Sequence, residues 1–131
     1  MENSGREAEK IESFTDLVAW KEGHKLVLMV YSVTKKFPKD ELFGLVSQMR
    51  RAAVSITSNI AEGFGRQYYT EKVQFYTTAQ SSNIELQNQL LIARDVGYLD
   101  QLNFQRIADQ SILVKKLLNG LIKKSKQIRD S

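Results

Sequence analysis

The chain has 131 residues, of which 42% are apolar and 26% charged, the balance of one globular domain rather than of a disordered segment or of two full domains. Its net charge is +4, but residues 1–12 carry −2 and the remainder +6, so an acidic start is set against a basic body. The longest apolar run, Leu26 to Tyr31, is six residues against the roughly 18 needed to cross a bilayer, and the absence of cysteine excludes disulfide and thiol chemistry.

Residues 1–13 read as a polar tail, with no sustained period and a Ser4-Gly5 break. The start Met-Glu-Asn-Ser-Gly-Arg-Glu lacks the pattern of a secretory leader, so a cytoplasmic location is expected. Residues 14–128 read as an all-α, antiparallel, up-down-up-down four-helix bundle, with helices over about 16–36, 39–65, 70–96 and 100–127. The first helix must stop before Phe37-Pro38, because the residue ahead of a proline is pushed out of the helical region. It carries two apolar stripes: Trp20, His24, Val27, Tyr31 and Thr34, and a second one of Leu26, Val30, Val33 and Phe37. One stripe suffices inside a monomeric bundle, so the second predicts burial on another side.

Pro38, Asp40 and Glu41 open the second helix with acidic groups at its positive end. Its stripe is Leu42, Leu45, Met49, Ala52, Ile56 and Ile60, and Gly63 and Gly65 end it. Gly44 costs about 1 kcal/mol in helix propensity, which close packing would explain. Thr70 reads as the cap of the third helix, whose stripe is Phe75, Ala79, Ser82, Leu86, Leu90 and Ala93. An amide-rich run with Asn83, Gln87 and Asn88 crosses it, and Gly97 ends it. Asp100 caps the fourth helix, whose pattern Phe104, Ile107, Ser111, Val114, Leu118, Leu121, Ser125 and Ile128 is the most regular in the chain. Steps of three and four favour the shallow left-handed packing of four-helix bundles. Trp20, Met49, Ile56, Leu86, Leu90, Val114 and Leu118 are expected to be buried.

A set of short motifs runs through this pattern: Phe14-Thr15-Asp16-Leu17-Val18-Ala19-Trp20, Tyr31, Phe37-Pro38, Gln48, Arg50-Arg51, Ser55-Ile56, Ser58-Asn59-Ile60-Ala61-Glu62-Gly63 and Arg66. Weaker matches follow at Ala79, Ser82, Glu85 and Gly97-Tyr98-Leu99. With these motifs the chain resembles the four-helix-bundle family of 23S rRNA intervening-sequence proteins over roughly residues 14–125. Thr57 stands where that family usually has proline, and Gln80-Ser81 where it has a more glycine-like pair. The resemblance implies a helical bundle assembled as a homopentamer and encoded with rRNA, and it supplies no established catalytic residue.

The residues themselves point the same way on catalysis. A hydroxyl nucleophile would need His24, the sole histidine, as its base, and no Gly-x-Ser-x-Gly elbow is present. One histidine, no cysteine and scattered carboxylates give no metal-ligand spacing, and Gly63-Phe64-Gly65-Arg66 follows a helix and lacks a Gly-Lys-Ser/Thr ending. No catalytic residue, metal, cofactor or small-molecule substrate is therefore expected. Asn59, Glu62 and Glu85 read as a structural polar network that fixes helix register, with Asn59 buried and Glu85 its partner.

Six basic residues crowd the last 17 positions, with Asp130 their only acidic neighbour: Lys115, Lys116, Lys123, Lys124, Lys126 and Arg129. A basic stretch of this kind is the footprint a polyanion would use. Lys115, Lys116, Lys123 and Lys124, with Arg50, Arg51 and Arg66, are the candidate nucleic-acid contacts. Arginine fits phosphate and buried carboxylate by the same bidentate geometry, so structural pairing is the first reading of the three arginines and phosphate contact the second. The two apolar stripes of the first helix, and Tyr68, Tyr69 and Tyr76 near Phe75, predict homo-oligomerisation. The resulting expectation is a non-enzymatic, oligomeric bundle that binds structured RNA. The alternative is an accessory protein that docks an acidic protein partner or assists a nucleic-acid enzyme.

Overall fold

The structure, a computed structural model, describes residues 10–131, and residues 1–9 of the expected tail lie outside them. The described chain opens on a 3-10 turn, Phe14–Asp16, held by a reciprocal cap: Thr15 donates its N–H to Ser13 Oγ, and Ser13 donates its own to Asp16 Oδ2 at 3.1 Å. The Glu12 and Ser13 N–H groups, both donating to Asp16 Oδ2, hold its carboxyl below the usual carboxylate range. Leu17 is extended, so helix α1 begins at Val18 rather than near Asp16, and it ends at Thr34, two residues before the expected stop. The Thr34 hydroxyl donates back to Val30 O at 2.7 Å, closing the last turn.

The continuous helix expected over 39–65 is broken. A 3-10 turn, Lys39–Glu41, leads into a wide π turn, Leu42–Val46, and helix α2 runs only from Ser47 to Phe64. Gly44 leaves helical geometry at φ −114°, ψ −110°. Glu41 explains the break, because its carboxylate takes the place of the helical ladder. Its Oε1 accepts the Leu45 N–H at 3.1 Å, while Oε2 accepts the Tyr98 hydroxyl at 2.9 Å, tethering this corner to the turn that precedes the last helix. A Cβ on Gly44 would meet that Glu41 Oε1 at 2.9 Å, so the small residue makes room for a carboxylate rather than for a neighbouring helix. The rotation turns Leu42, an expected core residue, to 48% exposure and leaves Phe43 94% exposed.

Helix α3 spans Tyr69–Asp95 and helix α4 Gln101–Arg129. Tyr68, not Thr70, occupies the cap position of α3 and provides no side-chain bond; Thr70 lies inside the first turn, exposed. Gly97 terminates α3 at φ +89°, a left-handed geometry that costs glycine little and lets the Tyr98 and Leu99 N–H groups fold back onto Ala93 O. Asp100 caps α4 by accepting the Asn103 N–H at 2.8 Å.

Cross-helix pairs show the antiparallel order directly. Thr34 meets Arg50, and Gly23 meets Thr57; Ser55 meets Ser82, and Gly63 meets Lys72; Asn83 meets Ser111, and Gln80 meets Asn119. In each pair of helices, rising numbers on one run against falling numbers on the other. The ring closes where Gln110 of α4 donates to Glu22 of α1. Met49, Ile56, Leu86, Leu90, Val114 and Leu118 are buried as expected. Trp20 is only partly buried, with its ring stacked on His24 and edge-on to Phe14. His24 itself is exposed, so the first stripe of α1 faces the core mainly through Val27 and Thr34. Among the three tyrosines, Tyr76 is buried and Tyr68 is 62% exposed, which removes Tyr76 from any surface.

Candidate nucleic-acid interface

The polar residues chosen for register do not form one network. Asn59 donates to Ser55 O at 2.8 Å and to Ser55 Oγ at 3.1 Å, one turn back on its own helix. An amide on a helix reaches the preceding turn more readily than a neighbouring helix, and that local option satisfies it here. Glu85 is exposed rather than paired with Asn59, and Glu62 is exposed and bridged to Arg66 at 3.1 Å. Register is instead fixed by Asn83, which the amide-rich run contained. Its side chain, 1% exposed, donates to Ser111 O at 2.9 Å and accepts the Ser111 hydroxyl at 2.7 Å. Gln87 adds a donor to Ser111 Oγ at 2.9 Å. The available signal was Ser111 itself, a hydroxyl in an otherwise apolar stripe of α4.

The arginines separate. Arg50 lies half-buried against α1, its Nε donating to Thr34 Oγ1 at 3.0 Å and its guanidinium 4.5 Å from the centre of the Tyr31 ring. That arrangement locks the α1–α2 corner and makes Arg50 a packing residue. Arg51 is exposed. Arg66 sits at the other end of α2, its guanidinium 4.6 Å from the Phe75 ring centre. Arg50 and Arg51 are therefore not brought to the same place as Arg66.

Lys115, Lys116, Lys123 and Lys124 are all exposed on α4, and among the described residues none is within salt-bridge distance of a carboxylate. At about 100° per residue, Lys116 and Lys123 share the face opposite the buried stripe, with Lys115 and Lys124 a quarter turn to either side. The antiparallel order puts the C-terminal half of α4 at the end of the bundle that also holds the end of α2 and the start of α3. Arg66 thus lies at the same end of the bundle as the lysines, on a helix that does not pack against α4, and Arg50 lies at the other end.

The turn at that end is tightly built. Lys72 donates to Phe64 O at 2.7 Å and Gly63 O at 3.3 Å, capping the last carbonyls of α2 from the first turn of α3. Burial pushes its ammonium below the usual lysine value. Gly63 allows α3 to come close, since a Cβ there would meet Tyr76 Cε1 at 2.7 Å. Burial in this contact pushes the Tyr76 hydroxyl up to about 12. Neither Lys72 nor Gly63 stood out as a site residue in the sequence, because both act through backbone proximity.

Residues 15–120 match the family described as 23S rRNA-intervening sequence protein. The chain belongs to that family. The 23S rRNA-intervening sequence match ends inside α4, so Lys115 and Lys116 fall within it, while Lys123 and Lys124 lie beyond. No curated protein matches the chain. A solved structure of a protein of unknown function from the S23 ribosomal protein family of Bacteroides thetaiotaomicron is similar at 20% identity, with a TM-score of 0.76, covering 81% of this chain and 99% of that one. It shows the same all-helical fold. Among the described residues, no helix is long and apolar enough to cross a membrane, and no three metal-ligating side chains cluster.

Proposed function

We propose that this 23S rRNA-intervening sequence family protein is a self-associating, non-enzymatic bundle that binds structured RNA through the basic half of α4. The observation that carries the reading is the set of exposed α4 lysines that have no carboxylate partner among the described residues, since an unpaired cationic face is available to phosphates whereas an ion-paired one is not. The family's description names an rRNA setting, which agrees with it. Self-association is supported on a different face. Phe43 stands almost fully exposed beside Leu42, Tyr31 and Val54, an apolar patch that a second copy would cover, and the family resemblance puts the ring at five.

Replacing Lys115, Lys116, Lys123 and Lys124 together with glutamine is the test. RNA affinity is expected to fall, and the slope of log affinity against log salt to flatten by up to about 0.9 per lost contact. Sedimentation of the same variant should match wild type, because all four lysines are exposed and none belongs to the buried stripe of Phe104, Ile107 and Leu118. An unchanged affinity and salt slope would reduce the lysines to a solvated face and leave an acidic protein as the partner to seek.

A further inference from the structure

We infer that the α2–α3 turn beside the basic end of α4 is a stacking platform for an unpaired RNA base, with Tyr68 as the stacking ring. This rests on the RNA reading above and names the form of RNA that this end takes. Tyr68 occupies the cap position of α3, where serine, threonine, aspartate or asparagine would stabilise the helix, yet it makes no capping bond and leaves its ring 62% exposed. Helix stability does not account for a tyrosine there. The turn that carries the ring is held in place: Lys72 clamps the end of α2 and lies 5.5 Å from the Phe64 ring centre and 5.6 Å from that of Tyr69. Arg66 is fixed between Glu62 and Phe75. A ring on a rigid turn loses little freedom on binding, which favours its use as a contact.

The basic half of α4 reaches the same end of the bundle, packed against α3. Gln80 of α3 reaches Lys115 O and Asn119 of α4. Tyr69 lies eleven residues before Gln80, about 16 Å along α3. The same span along α4 from Lys115 and Asn119 arrives at Lys126 to Asp130. Along the bundle axis Tyr68 thus stands level with Lys126, just past Lys123 and Lys124, so a strand that follows the α4 cations to this end of the bundle reaches an exposed aromatic face. Aromatic rings interleaved with cations suit single strands, loops and bulges, whose bases are free to stack, and give a paired helix no ring to receive.

The full chain is tested with two RNA probes: a single-stranded oligoadenylate carrying one fluorescent adenine analogue, and a duplex of the same length. Tyr68→Ala is expected to weaken the single strand roughly tenfold, the effect of losing one base–aromatic stack. Duplex affinity and the salt slope should not move, and wild type but not Tyr68→Ala should quench the analogue. Tyr68→Phe should restore both affinity and quenching. Because Tyr68 is exposed and caps nothing, helical content by circular dichroism should be that of wild type. If Tyr68→Ala binds the single strand as wild type does while the four-glutamine variant still loses affinity, the platform is refuted and the basic surface stands. Equal loss on duplex and single strand also refutes the platform. If wild type binds neither probe, both proposals fall together.

Discussion

Replacing Asn83 with aspartate is expected to lower the stability of the bundle by about 3 kcal/mol or more at pH 7, and by much less near pH 4. The substitution keeps the shape of the side chain and changes its chemistry. The Asn83 amide donates to Ser111 O and accepts from Ser111 Oγ at a position 1% exposed. A carboxylate there can still accept from the hydroxyl, but it faces the Ser111 carbonyl with no hydrogen to give and carries a charge out of water. Burial raises the folded-state pKa of such an acid above its unfolded value. The neutral acid can donate to Ser111 O, so stability is retained below the unfolded pKa and lost as pH rises through the folded one. Asn83→Leu should cost about 1–3 kcal/mol without this pH dependence, because it leaves Ser111 short of a partner but buries no charge. Denaturant melts across that pH range check the pair. Equal losses for Asp at both ends would show that Asn83 is not the buried bond between α3 and α4.

Gly63→Ala should destabilise the fold by about 1–3 kcal/mol, although alanine is the better helix former by about 1 kcal/mol. The added methyl would sit 2.7 Å from Tyr76 Cε1 and 3.0 Å from Phe75 Cβ. Tyr76 is buried and cannot swing away, and a Cβ moves only with its backbone, so α2 and α3 must separate. Lys72 bridges that gap, and its bonds to Gly63 O and Phe64 O would stretch with it. Gly120→Ala is the internal control: nothing lies within 4 Å of a Cβ there, so it should gain up to about 1 kcal/mol. Thermal melts of the two variants should therefore shift in opposite directions. A stabilised Gly63→Ala would mean that the close approach of the helices is not what that glycine provides.

How far the sequence reveals this structure depends on the range of each interaction. The four stripes, Gly97 and Asp100 are governed by neighbours within one or two turns, and they gave the helices their number and order. The break at Gly44 is not local, because it depends on a carboxylate whose second partner, Tyr98, is 57 residues away. Read along the chain, Glu41 is only an acidic group at a helix start. Asn59 differs for the opposite reason: its core-side position suggests a partner on a neighbouring helix, but Ser55, four residues back, is within reach. At the candidate interface, the α4 lysines are visible in composition and their exposure follows from the stripe. That Arg66 shares their end of the bundle and Arg50 does not requires the antiparallel order. Tyr68 and Tyr76 are identical letters eight positions apart, and only the approach of α2 at Gly63 decides which of them is buried.

The seam between α1 and α4 sets the order in which the chain assembles. Ser55–Ser82 and Asn83–Ser111 close loops of 27 and 28 residues, whereas Gln110 reaches Glu22 across 88. A loop three times longer costs about 1 kcal/mol more to close, so the successive helical hairpins form first and the seam is zipped last. Gln110→Ala should accordingly speed unfolding and leave the folding rate nearly unchanged, a φ-value near zero, while changes at Asn83 should slow folding. Until that last step α1 is held only through its hairpin with α2, and the nascent protein presents the α1-facing side of α4 to whatever is nearby, including another copy of itself.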